Sequence, residues 1–92
     1  MEIIKAVVVA GGFKAFTATA KLGADAMKVS LEEAVAVVLA LNTRQFYKSM
    51  TTHADHTVWQ DVYHTVCPNG RWAYIKLTLR DDGVVVIQFK EL

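Results

Sequence analysis

Residues 71 to 90 read RWAYIKLTLRDDGVVVIQFK, and their alternation decides the fold. Ala73, Ile75, Leu77 and Leu79 fall on one side of an extended chain, and Trp72, Tyr74, Lys76 and Thr78 on the other, because successive side chains of a strand point to opposite faces. Asp81-Asp82-Gly83 predicts a tight turn in which the glycine supplies positive φ. Val85, Ile87 and Phe89 then rejoin the apolar side, with Val84, Val86, Gln88 and Lys90 opposite. One apolar face and one mixed face describe an antiparallel sheet packed on a single side.

Upstream, Cys67-Pro68-Asn69-Gly70 predicts a second turn, joining TVWQDVYHTV to RWAYIKLTL. From about Arg44 onward the chain therefore reads as a meander of three or four antiparallel strands. The first part differs: from Glu2 to Leu41 the residues are small and aliphatic, without strict alternation. Ser30-Leu31-Glu32-Glu33 fits a capping box, a serine accepting the amide three residues on and a glutamate reaching back. It opens LEEAVAVVLALN, where Leu31, Val35, Val38 and Leu39 share a helical face that Ala34, Val37 and Leu41 widen, so a well-buried helix is expected from about 31 to 41. Lys14 to Met27 is a weaker, alanine-rich helix that ends before Lys28. Glu2 to Ala10 stays open: its β-branched residues suit a strand, while Gly11-Gly12 could equally stop a short helix. Helices first and strands after predict one α+β domain over residues 1–92, its helices packed on one face of an antiparallel sheet.

Bulk properties agree with a folded domain. Of 92 residues, 53% are hydrophobic and 21% charged, enough apolar side chain to offset the entropy of ordering. The longest apolar runs, Ala6 to Ala10 and Ala34 to Leu41, are too short to span a bilayer. The N-terminus has neither a basic n-region nor an A-x-A exit, so no signal peptide is expected. The single cysteine, Cys67, has no internal disulfide partner, which favours a reducing, cytoplasmic setting. The net charge is only +1, with four basic and four acidic groups in residues 1–43 and six and five thereafter. Phosphate contacts supply most of a nucleic-acid binder's affinity, so any RNA handling must come from a local cluster.

The chemistry concentrates in QFYKSMTTHADHTVWQDVY, residues 45 to 63. His53-Ala54-Asp55-His56 suggests two imidazole ligands, but a tetrahedral site wants three or four and Cys67 is the only soft donor. No metal site is expected, and a polar turn is the plainer reading. Ser49, Thr51 and Thr52 carry hydroxyls, yet no neighbouring Asp/His arrangement is expected to activate them. Trp59 and Tyr63 lie on one strand face and read as core or sheet cover.

FYKSMTT together with DHTVWQDVY, followed by YIKLTL and the ending VIQFKEL, resembles the MqsR toxins, the motility quorum-sensing regulators of bacterial type II toxin–antitoxin systems. The motifs cover residues 45 to 92; LGADAMKVSLEEAVAVVLALN fits in length and pattern more than in identity, and the beginning departs from the family, the chain starting later than its relatives. The resemblance implies a RelE-like fold and a metal-independent endoribonuclease that needs no cofactor and cuts mRNA at GC-containing sites such as GCU. It also implies neutralisation by a cognate antitoxin, often one with a zinc-bearing domain and a DNA-binding helix-turn-helix domain. DNA would be reached only through that partner, and no membrane is involved. Carried onto this chain, the catalytic group is Lys48 of FYKSM, Gln60 of WQDVY and Tyr74 of the Y-[LI]-K motif.

Trp72 and Lys76 share the face of Tyr74 and join it as expected RNA contacts; Arg44, Arg80 and Lys90 read as solvated charges, of which Lys90 is the one expected to touch phosphate. Alternation alone equally allows Trp72 and Tyr74 to cover that face beneath a loop. His53 and His64 stand where the family commonly carries an aromatic residue and an arginine, which points to a pH-dependent RNA contact; His56 belongs to the motif and reads as structural. The alternative is a non-catalytic module of the same fold, acting through antitoxin pairing and operon regulation, which the near-neutral charge favours.

Overall fold

The computed structural model describes residues 16–51, 59–79 and 85–92, with Met50 and Thr51 as backbone alone. The ambiguous stretch from Glu2 to Ala10, the Gly11-Gly12 pair, His53, His56 and the turn at Asp81-Asp82-Gly83 lie outside these residues.

Helix α1 covers Ala18–Ala26. Its first turn is held by Thr17, whose Oγ1 accepts from the Ala20 amide at 3.0 Å, and it closes where Lys28 adopts a left-handed backbone with φ of 62°. Helix α2 covers Leu31–Leu39, and the expected capping box is present in full: the Ser30 amide donates to Glu33 at 3.0 Å and the Glu33 amide to Ser30 Oγ at 3.1 Å. It stops sooner than the apolar run predicts, Ala40 forming its C-terminal cap. Ala34 and Val38 are buried, whereas Leu31, Val35, Val37 and Leu39 are half-buried, so the covered stripe is narrower than expected.

Four antiparallel strands follow: β1 (Phe46–Thr51), β2 (Trp59–Val66), β3 (Trp72–Leu79) and β4 (Val85–Glu91), in the spatial order β1-β2-β3-β4. The turn between β2 and β3 is the one expected at 67–70. The Cys67 amide donates to the Arg71 carbonyl at 2.8 Å, and Gly70 takes φ of 84°, a conformation that suits a residue without Cβ. Asn69 Nδ2 donates to the Met27 carbonyl at 2.7 Å and so ties this hairpin to the end of α1.

Both helices pack on one side of the sheet. Ile75, Leu77, Ile87 and Phe89 meet Ala20, Ala24, Met27 and Val38 in a single core. Helix α1 runs along the outer side of β4. The Thr17 amide donates to the Ile87 carbonyl at 3.2 Å, and Gly23 passes so near that a Cβ there would collide with the Phe89 carbonyl. The architecture is α+β, consistent with a RelE-like fold, and among the described residues no helix is long and apolar enough to cross a membrane.

Candidate functional site

Residues directly opposite in an antiparallel pair share a face, so the strand registers map the side of the sheet turned away from the helices. One row across it holds Lys48, Val62, Lys76 and Gln88. The next holds Gln60, Thr78 and Val86. On the other flank lie His64, Tyr74 and Lys90, and beyond them Val66 and Trp72.

How Lys48 comes to this face is a matter of one extra residue. The pairing runs Phe46↔Tyr63 and then Lys48↔Val62, so two steps on β1 oppose one on β2. In a regular strand Phe46 and Lys48 would face the same way; the bulge at Tyr47 separates them. Phe46 turns toward the helix side and meets Tyr63 edge-on, ring centroids 5.6 Å apart at 75°. Tyr47 and Lys48 turn to the open face, where Tyr47 stacks on His64 with centroids 4.2 Å apart and planes inclined by 19°.

The result is a transverse ladder of rings ending in a cation. His64 lies 5.8 Å from Tyr74, tilted by 42°, and Lys90 Nζ stands 5.0 Å from the Tyr74 ring centroid. Lys48 Nζ is 5.7 Å from the Tyr47 ring, so a cation flanks each end. Beside the ladder, Gln60 Nε2 donates to Thr78 Oγ1 at 3.3 Å, which restrains the amide. At the centre Val62 is fully buried yet stands apart from the helix-side core cluster. Lys48 is its direct neighbour, Gln60 and His64 flank it along β2, and Tyr74 lies diagonally across. Lys48 and Tyr74 stand on strands about 10 Å apart, a gap that an extended lysine and a phenol can bridge.

The structure thus brings Lys48, Gln60 and Tyr74 onto one surface, with Trp72, Lys76, His64 and Lys90 around them. Tyr74 and Lys76 are half-buried, while Lys48 and Lys90 are exposed. Trp72 is 54% exposed, which excludes its burial beneath a covering loop. Nothing in the sequence singles out Tyr47; its place depends on the bulge, and FYKSM contains no glycine or other residue that announces one.

One expectation is corrected on the helix side. Trp59 does share a face with Tyr63, but only Tyr63 is buried; Trp59, at the beginning of β2, is 58% exposed and so is no part of the core. Ser49 does have an acidic neighbour: its Oγ donates to Asp61 at 2.6 Å, a contact made across the β1–β2 pairing. Without an imidazole this remains a hydrogen bond, not an activated nucleophile. The groups whose ionisation the fold suppresses also lie away from the open face. Burial raises the Tyr63 pKa, with the charge of Asp61 adding to it, and burial raises that of Cys67, with a contribution from Glu33.

The fold and this polar face define a small α+β domain whose polar and cationic side chains are displayed on one open sheet face. The chain belongs to the MqsR toxin family: the family model described as "Motility quorum-sensing regulator, toxin of MqsA" matches residues 1–91, which extends the likeness through the N-terminal stretch that the motifs did not reach. It is also 41% identical over 75 residues to the mRNA interferase toxin MqsR of Escherichia coli (strain K12), an alignment covering 82% of this chain and 74% of that protein.

Proposed function

We propose that this protein is an endoribonuclease toxin that cleaves mRNA without a metal, at GC-containing sites such as GCU, and is neutralised by a cognate antitoxin carrying a zinc-bearing domain and a helix-turn-helix domain. The observation that carries the catalytic part is the clustering of a cation, an amide and a phenol, Lys48, Gln60 and Tyr74, around Val62 on the open sheet face. Membership of a family described as toxins of MqsA, and likeness to a protein named an mRNA interferase, support the substrate and the partner.

In the proposed reaction the 2′-OH attacks the adjacent phosphorus. The new 2′-O–P bond forms as the P–O5′ bond breaks, leaving a cyclic phosphate and a 5′-OH; the 2′-OH gives up its proton and the departing O5′ gains one. Negative charge gathers on the non-bridging oxygens, where Lys48 supplies an ammonium and Gln60 an amide donor. Tyr74 directs its phenol at the 2′-OH. The rings of Tyr47, His64 and Trp72 offer stacking surfaces for unpaired bases, and Lys76 and Lys90 contact phosphate. A near-neutral chain is suited to this because Lys48, Lys76 and Lys90 share the open face.

The test is cleavage of a GC-containing RNA by the purified protein in EDTA. Cut sites that persist there and disappear with Lys48→Ala are expected; cleavage that depends on added divalent metal overturns the mechanism.

A further inference from the structure

The open face continues past Lys90 toward α1. Between the start of α1 and the β4 side of the open face lies a cavity of about 270 Å³. Tyr74, Gln88 and Lys90 line it from the sheet, and Thr17, Thr19 and Ala20 from the helix. This is just below the usual range for ligand pockets, too small for a large cofactor and suited to one planar group. Its chemistry is that of a base slot. A phenol ring forms one wall, an apolar floor comes from Ala20, a side-chain amide on Gln88 can both donate and accept, and a single ammonium stands at the rim on Lys90. Thr17 already uses its hydroxyl oxygen to cap the helix, which leaves Thr19 and Gln88 as the polar side chains best placed to read a base edge; both are exposed.

We infer that this cavity is a specificity subsite which takes a single unpaired nucleobase next to the scissile phosphate, with Gln88 and Thr19 as the residues that select it. The inference rests on the ribonuclease reading, because Tyr74 is shared: its hydroxyl serves the reaction and its ring walls the slot. Position supports it. A strand of RNA crossing the open face from Tyr47 past His64 to Tyr74 arrives at this cavity directly after the Lys48–Gln60–Tyr74 group. Recognition of RNA sequence requires bases that are splayed out, stacked on a ring and hydrogen-bonded along an edge, and these are the three things the cavity supplies.

The experiment maps cut sites on a randomised single-stranded RNA library with the full-length wild type, Gln88→Ala, Thr19→Trp and Lys48→Ala. Wild type is expected to show a base preference at one position beside the cut. Gln88→Ala should narrow it about tenfold, the scale of one lost bidentate base contact, and Thr19→Trp, which fills the mouth, should raise KM at the preferred sites. Wild-type cleavage whose preference and KM both survive the two cavity substitutions overturns the subsite and leaves the nuclease standing. If wild type does not cut at all, the nuclease reading fails. Affinity for an RNA carrying 2′-deoxyribose at the expected cut then decides the subsite: binding weakened by Gln88→Ala and Thr19→Trp supports it, and unchanged binding rejects it.

Discussion

The two faces of the sheet are built from the same strands and obey opposite rules. On the helix side, Ile75, Leu77, Ile87 and Phe89 are buried against α1 and α2, and a change there alters packing. On the other side the same strands present Tyr74, Lys76, Gln88 and Lys90, half-buried or exposed. A period of two lets one eight-residue strand serve stability and chemistry without compromise. It follows that substitutions should separate cleanly into those that melt the protein and those that only silence it.

The sharpest way to break this division is a reciprocal pair. Lys48→Ala should lower cleavage by about two to four orders of magnitude and leave the melting temperature within a degree or two, since the side chain is exposed. Ile75→Ala, in the core and away from the cavity, should cost about 2–5 kcal/mol of stability while the fraction that remains folded cuts normally. Denaturant titration set beside single-turnover cleavage decides it, and a Lys48→Ala protein that is also unfolded by several kcal/mol would erase the distinction between the faces. Gly23→Ala sharpens it from the helix. The added methyl meets the backbone of Phe89 and not a pliable side chain, so a loss of roughly 3 kcal/mol is expected in the same titration.

Smaller effects test the margins. His64 lies between two tyrosines, its ring stacked on Tyr47 and tilted against Tyr74. RNA affinity measured by fluorescence anisotropy should therefore fall severalfold in His64→Ala, which removes the middle ring of the ladder. His64→Phe should keep the stacking and most of the affinity.

On the buried side, Cys67 and Tyr63 are both harder to ionise in the folded protein than in model compounds, whose values are 9.0 and 10.0. Their contribution is complete at neutral pH and is lost as pH rises past about 9, because the unfolded chain then releases protons more readily. Unfolding midpoints followed upward in pH should fall in that window, and Cys67→Ala should delay the onset.

Much of this division could be read before any coordinates. The alternation of RWAYIKLTL assigned each residue of β3 to its face, since burial on one side leaves period two no freedom. The capping box at Ser30 marked the beginning of α2 to the residue, because both of its hydrogen bonds are local. What escaped depends on events distant in the chain. The bulge at Tyr47 arises from how β1 meets β2, and without it Lys48 would lie on the wrong side of the sheet. The exposure of Trp59 is set by what packs over the beginning of β2 in the folded protein, which no local pattern encodes. The nearness of Ser49 to Asp61 is a cross-strand register, twelve residues apart. The base cavity joins the beginning of one helix to the last strand, and nothing in either segment alone points to it.

The placement of α1 along β4 has a consequence for assembly. With the Ile87 carbonyl already bonded to Thr17 and Gly23 pressed against Phe89, a strand from another molecule has no ladder to join on that flank. Growth by strand addition needs two receptive borders, and exposed borders are the usual route to fibrils. A sheet sealed on one border cannot polymerise through itself: any strand-to-strand union at β1 ends at a pair.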